Sequence, residues 1–254
     1  MQISFDGRTV LVTGASTGIG AAIAQGFARC GAIVAVHYNR SEEQARKILA
    51  AIESEGGRGA LFHADLMTPD APLRLTREVE DRQGPVDVLV NNAGGLLGRR
   101  STGEITRQLY EQVLQLNLGS IVGMCNAVVP GMRERGHGAI VNVSSVAADT
   151  GGGPGSSVYA ASKGAVSTYT RALARELAAD GIRVNTLAPG IIATPFHDRY
   201  TSPEALSAMV ATIPMGRAGQ PGDCVGATLF LAHDGLAGYV TGQTVGVNGG
   251  QYVS

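Results

Sequence analysis

The chain has no tryptophan, only three cysteines and no surplus of charge: 20 Lys and Arg stand against 21 Asp and Glu, a formal net charge of −1. Without a cationic excess there is no electrostatic footprint for a nucleic acid or an anionic membrane. Cys30, Cys125 and Cys224 are widely spaced, with no CxxC and no paired histidine. Neither a disulfide framework nor a zinc site is expected, and the thiols read as buried and free. No run approaches the ~20 apolar residues of a membrane span, and the opening MQISFDGRTVLVTG lacks a basic segment leading into an apolar core. A cytoplasmic, reducing location follows by default. Low-complexity tracts, charge blocks and linkers are absent too, so residues 1–254 read as a single domain.

What the chain has in abundance is glycine, 36 residues, and an alternation of short β-rich runs with helical periodicity. Strands are expected at Thr9–Val12, Ile33–His37, Gly59–Ala64, Val86–Val90, Ala139–Val143, Arg183–Leu187 and Gln243–Val247. Helices are expected at Gly18–Arg29, Ser41–Ser54, Pro72–Gln83, across most of Ile105–Arg135 with an interruption near Pro130, and at Tyr159–Ala179. Buried-looking strands alternating with helices predict an α/β fold: one doubly wound parallel sheet of about seven strands with helices on both faces. Residues 189–219 are the one long departure, and a segment of that length suits a substrate-side lid.

The first chemical motif is Thr13-Gly14-Ala15-Ser16-Thr17-Gly18-Ile19-Gly20, directly after the first strand. Its glycines let the backbone turn tightly, approach a pyrophosphate and pack the next helix, whose N-terminal N–H groups and dipole face the phosphate. The spacing G-x-x-x-G-x-G is not the G-x-G-x-x-G fingerprint, and no G-K-[ST] follows, which removes a P-loop enzyme from consideration. At the end of the second strand, His37-Tyr38-Asn39-Arg40-Ser41 contains no Asp or Glu. An NAD site places a carboxylate there and an NADP site a cation, so Asn39 and Arg40 favour NADP(H), with NAD(H) possible and Glu42 and Glu43 weighing against it. The alternative is a capping box of Ser41 with Gln44 that leaves Arg40 a solvated loop residue. Asp65, followed by Leu66, either hydrogen-bonds an adenine or starts a turn. Asn91-Asn92-Ala93-Gly94 supplies small residues at a strand end where a ligand could pass close to the backbone.

The second motif lies in SVAADTGGGPGSSVYAASK, Ser145 to Lys163. Tyr159 and Lys163 are four apart on a predicted helix and share a face, so an ammonium beside the phenol would lower its pKa toward neutrality and let it exchange a proton with a carbonyl or alcohol oxygen. A YxxxK pair alone is weak. Ser145, at the end of the preceding strand, adds a hydroxyl that could hold the same oxygen, though strand-end turn chemistry would also account for Ser144 and Ser145.

Taken together, TGASTGIG, NNAG, the serine after VNVS, YAASK and LAPGIIAT, in this order, make the whole chain resemble the short-chain dehydrogenase/reductase family. It is similar to the 3-oxoacyl-thioester reductase and sugar or polyol dehydrogenase group within it. The resemblance implies a Rossmann-type fold, a homotetramer and a metal-free hydride transfer between NADP(H) and a carbonyl or secondary alcohol. By the same resemblance Tyr159 is the general acid, Lys163 binds the nicotinamide ribose and tunes the tyrosine, Ser145 orients the substrate, and Asn117 presents its backbone carbonyl to a water that feeds the lysine. Pro189, Gly190, Ile192 and Thr194 match the stretch that holds the nicotinamide carboxamide. Thr17 departs from the Arg or Lys of many NADP-preferring relatives, which shifts phosphate recognition to Asn39 and Arg40. The Ser145–Tyr159 interval is one residue longer than the family's usual spacing, which leaves Ser144 as the rival hydroxyl. Residues 95–100, 147–157 and 191–215 would form the substrate walls, mixing Leu96, Leu97, Phe196, Tyr200 and Met209 with Arg99 and Arg100, and Arg133, Arg135 and Arg175 read as solvated helix-face residues or a dock for an acidic carrier. The rival of another class is a dinucleotide-sensing protein without catalysis.

Overall fold

In the computed structural model, which describes residues 3–253 apart from the side chains of His197 and Asp198, the first strand explains the rest. β1 (Thr9–Val12) is TVLV with all four residues buried, so it needs apolar cover on both faces. Its alternate side chains go to opposite sides. Val10 and Val12 join a cluster with Ile23 and Phe27, while Leu11 joins a second with Leu75, Leu89 and Met124. The chain supplies that cover by alternating strand and helix.

β1 is followed by α1 (Gly18–Arg29), β2 (Ile33–Tyr38), α2 (Glu42–Ser54), β3 (Arg58–His63), α3 (Ala71–Gln83) and β4 (Val86–Asn91). Then come α4 (Arg107–Leu114), a π turn at Gln115–Gly119, α5 (Ser120–Arg135), β5 (Gly138–Val143), a single helical turn α6 (Ala147–Thr150), α7 (Ser157–Leu177) and β6 (Ile182–Pro189). The chain ends with α8 (Pro195–Tyr200), α9 (Pro203–Val210), α10 (Asp223–Ala232), α11 (Asp234–Ala237) and β7 (Thr244–Val247). The seven strands pair in the order β3-β2-β1-β4-β5-β6-β7, and every pairing is parallel. The fold is the single-domain doubly wound sheet expected from the alternation. Its order reverses between β1 and β4, and there the carboxyl ends of the strands open a crevice.

Several elements differ from the sequence reading. The long helix does not break at Pro130, which lies inside α5. Val128, Val129 and Met132 are buried on either side of it, and that packing holds the helix through the one lost hydrogen bond. The irregularity is instead the π turn around Asn117, where an extra residue per turn re-aims side chains. The segment after β6 is not a plain loop but contains α8 and α9. α10 was not anticipated, because its run DCVGATLFLA is apolar nearly all round and shows little helical periodicity. By length and apolarity Arg107–Arg135 would also cross a membrane, its best window averaging 1.4 in hydropathy. Here Ile121, Met124, Val128 and Met132 are packed into the second cluster, as in a core helix of a sheet protein.

Candidate functional site

One cavity of about 710 Å³ runs along the carboxyl edge of the sheet, from the turn after β1 to the segment after β6. Its near wall is the glycine turn. Gly14 and Gly18 hold φ of 64° and 57°, the left-handed region that other residues adopt only under strain. A side chain at Gly14 would press on Asn92 and Ala93, and one at Gly20 on Asn92 and the Gly14 carbonyl. α1 begins at Gly18 with no side chain capping it, so its first N–H groups remain available to an anion. Ser16, Thr17, Gly18 and Ile19 line the cavity. Gly20 does not line it, and serves the packing of α1 against the turn.

This turn is tied to β4 across the point of strand reversal. The Asn92 amide donates to the carbonyls of Thr13 (2.9 Å) and Gly14 (3.0 Å). The Thr13 hydroxyl accepts from the N–H groups of Asn92 and Ala93, both at 3.0 Å. Asn92 is therefore a fastener as well as a lining residue, beside Ala93 and Gly94.

His37, which the sequence reading did not single out, closes the other side of the turn. Its Nδ1 accepts from Gly14 N–H at 3.0 Å, and its Nε2 lies 3.1 Å from the Ala64 carbonyl. That pattern requires the neutral ring with its proton on Nε2. Burial is the leading cause that pushes His37 down to about 4. Beyond it, Asn39, Arg40 and Ser41 line the cavity. Ser41 makes no capping hydrogen bond with α2, so the capping box is not formed. Glu42 and Glu43 pair with Arg46 and Lys47 one turn on, which offsets the negative charge that counted against Arg40. Asp65 and Leu66 lie outside the cavity wall. The Asp65 carboxylate accepts from Met67 N–H at 3.0 Å as a turn residue, and Leu66 is buried in the second apolar cluster.

The far half of the cavity gathers Ser145, Tyr159 and Lys163. β5 delivers the serines, and their roles separate cleanly. Ser144 donates to the Lys163 carbonyl at 2.8 Å and accepts from Ser167, which pins α7 to β5. Ser145 accepts from the Ala147 N–H at 3.1 Å and lines the cavity together with Tyr159. The glycine-rich interval between them is taken up by α6 and by a turn with Gly151, Gly152 and Gly155 all at positive φ.

Burial pushes the Tyr159 phenol up, and the Ser145 hydroxyl is the opposing pull. Lowering by Lys163 is not what this arrangement shows. The ammonium sits 5.9 Å from the ring centroid and donates to the Val143 carbonyl at 2.8 Å, while its own burial brings it down to about 8. Asn117, fully buried in the π turn, is behind the cavity wall. Its side-chain amide exchanges two 2.9 Å hydrogen bonds with the Gly95 backbone, and a side chain at Gly94 would meet both Asn117 and the Lys163 ammonium. Pro189, Gly190, Ile192 and Thr194 line the remaining side.

Thr212 lines the cavity within the expected 191–215 wall, whereas Gln251 lines it unpredicted. The Gln251 Oε1 is buried without a partner among the described residues. Nothing in its local sequence marks it, because β7 alone carries the C-terminal segment to the cavity. Away from this site, Arg133 is held by Glu176 and Asp180, and Arg135 donates to the Val86 carbonyl.

A family model described as enoyl-(acyl carrier protein) reductase matches residues 14–251. The chain is 39% identical to a 3-oxoacyl-[acyl-carrier-protein] reductase of Staphylococcus aureus over 250 residues, 97% of this chain and 98% of that protein. Among solved structures, a gluconate 5-dehydrogenase from Burkholderia cenocepacia, in complex with NADP and tartrate, is 33% identical with a TM-score of 0.91, covering 98% of this chain and 97% of that one. An NADH-dependent reductase, A1-R′, responsible for alginate metabolism, is 35% identical with a TM-score of 0.90 over 98% of both chains.

His37 gives a pH signature. Its folded value lies below the 6.5 of a free histidine, so the unfolded chain binds a proton that the native one refuses. Stability from this group is full above pH ~6.5, falls as the pH drops, and is lost below about 4. The shift corresponds to about 3 kcal/mol. Denaturant unfolding of wild type should lose about that much more between pH 7 and pH 4 than His37→Asn; equal slopes would remove His37 as the cause.

Proposed function

The chain belongs to the short-chain dehydrogenase/reductase family, and on that premise we propose that it transfers a hydride between NADP(H) and a carbonyl or secondary alcohol. The observation that carries this reading is that Ser145, Tyr159 and the buried Lys163 come together on the wall of a cavity that begins in the glycine turn. A non-catalytic sensor has no use for that group. The cradle fits a dinucleotide: left-handed glycines, uncapped N–H groups of α1, and Arg40 with no carboxylate among the described residues paired to it. Ser16 to Ile19 and the start of α1 would hold the pyrophosphate, and Asn39 with Arg40 the ribose phosphate. Asn92, Ala93 and Gly94 would flank the nicotinamide ribose, with Pro189, Gly190, Ile192 and Thr194 at the carboxamide. NADP(H) is favoured, and NAD(H) remains compatible with the same cradle.

When bound, the nicotinamide supplies or accepts the hydride. The rest is the work of this chain's residues. A phenol pushed up by burial is fully protonated at neutral pH, so Tyr159 stands loaded to donate its proton to the carbonyl oxygen as negative charge develops there. Ser145 donates a hydrogen bond to the same oxygen and stabilises the alkoxide. Lys163, near 8, keeps most of its positive charge at pH 7 and presents it on the same cavity wall. Asn117 holds Gly95, and through it the wall that faces the lysine.

Residues 189–219, carrying α8 and α9, act in this reading as the lid over the substrate. The relatives at 39% identity favour a 3-oxoacyl thioester as substrate. A sugar or polyol dehydrogenase is the second reading, favoured by the cationic side chain described below. Assembly as a homotetramer through the outer faces of the two long helices, where Tyr110 is exposed, and a cytoplasmic location belong to the same proposal.

Tyr159→Phe should lower turnover by about 100-fold or more while NADPH binding, followed by fluorescence titration, stays within about threefold because the ring is retained. Turnover within a few-fold of wild type would remove Tyr159 as the proton donor. Arg40→Ala should raise KM for NADPH by about tenfold or more, the worth of a charge-assisted phosphate contact, and leave KM for NADH nearly unchanged. Equal effects on both would take Arg40 out of phosphate recognition.

A further inference from the structure

Among the described residues, the cavity wall holds three cationic side chains, Arg40, Arg99 and Lys163, and no Asp or Glu. Arg40 stands past the glycine turn, and Lys163 is buried beneath Tyr159 with its ammonium on the Val143 carbonyl. That leaves Arg99 as the cation of the substrate end. A tight turn delivers it there: Leu97 at φ 58° and Gly98 at φ 129°, the first a strained conformation for a leucine.

The guanidinium is held in place by neutral acceptors, with no counter-charge among the described residues. Its Nε donates to the Tyr200 carbonyl at 2.8 Å, and its Nη1 to the Pro154 carbonyl at 2.9 Å. These two bonds fix the plane of a group that has five N–H donors, and the remaining donors are open to a ligand. Elsewhere arginines find carboxylates, as Arg29 does with Glu55 and Arg217 with Asp223. Arg99 has no ion pair among the described residues. The neighbouring Arg100 is different: it is exposed and donates back to the Arg99 carbonyl. Arg99 and Tyr159 line the same cavity, and the segment to which Arg99 is fastened also reaches the tyrosine. Tyr200 packs its ring 5.2 Å from Phe196, and Phe196 lies 6.0 Å from the Tyr159 ring.

A half-buried cation with two neutral acceptors is favoured by the arrival of an anion. One guanidinium balances one unit of charge, so a monoanionic carboxylate suits it, and its fork geometry matches that group. We propose that Arg99 is the specificity-determining residue of this site and binds a carboxylate on the substrate, so that the enzyme works on an oxo acid and the corresponding hydroxy acid rather than on a neutral ketone. The proposal rests on the hydride-transfer reading and selects, within it, a hydroxy or sugar acid over an acyl thioester.

The test compares carbonyl pairs in which a methyl ester replaces the carboxylate and removes its charge: acetoacetate with methyl acetoacetate, levulinate with methyl levulinate, and 5-oxogluconate with its methyl ester, each followed by NADPH absorbance. Wild type should prefer the acid in at least one pair by about tenfold or more in kcat/KM. Arg99→Gln should reduce that acid-to-ester ratio by about tenfold or more, and Arg99→Lys should restore part of it, as expected for a charge-assisted contact. The ratio matters because losing the Tyr200 and Pro154 bonds loosens the wall for every substrate alike. An unchanged ratio, with acid and ester falling together, would make Arg99 a structural strap and overturn the proposal. So would a wild-type preference for the esters, with the hydride-transfer reading intact. Consumption of NADPH with no carbonyl in the panel would overturn both.

Discussion

The site depends on the hydrogen bonds that join the turn after β1 to the end of β4. Thr13 and Gly14 offer a hydroxyl and two carbonyls, and Asn92 and Ala93 meet them with an amide and two N–H groups. Because the strand order reverses between these two strands, no helix crosses over the gap, and the crevice would otherwise have only loops for walls. With the seam closed, the glycine turn is rigid from both sides, by Asn92 on one and by His37 on the other. His37 can play that part only as a neutral ring, so the same burial that rigidifies the turn sets its response to acid.

A second set of constraints locates the proton-handling residues. Lys163 is buried to 3% exposure, a costly position for an ammonium. Its contact with the Val143 carbonyl, and the tie from Ser144 to its own carbonyl, fix α7 against β5. The adjacent serines divide the labour: one anchors the helix and the other lines the cavity beside the tyrosine. The π turn then brings Asn117 onto Gly95, so the helix that follows β4 braces the same wall from behind. The cation is held by the last carbonyl of β5, and the Ser145 hydroxyl by the Ala147 N–H of the turn that follows it. Rigid placement of this kind lets hydrogen bonds act on developing charge without reorganisation.

Much of this was legible beforehand. Strand and helix periods are set by burial on two faces, and Val10, Leu11 and Val12 show why: adjacent residues serve two separate clusters. The glycine turn was legible because only glycine tolerates φ of 64° at position 14. Less visible was anything that depends on contacts far apart in sequence. The break in the long helix was assigned to Pro130 by local chemistry, yet packing overrides the proline and the π turn falls where Asn117 must reach Gly95. Asp65 carried two readings, and its bond to Met67 favours the turn. His37 and Gln251 gave no local signal, since their importance comes from Gly14 and from the course of the chain after β7. The lowering of Tyr159 by Lys163 followed from helical spacing alone, whereas burial of both groups governs their titration.

The most direct check of the central claim uses NADPH carrying deuterium on either face of C4, with mass spectrometry of the alcohol formed from a carbonyl that the enzyme reduces. Hydride transfer within this cavity requires one deuterium on the new carbinol carbon from one of the two labelled faces and none from the other. An unlabelled alcohol from both forms of the cofactor would contradict the account.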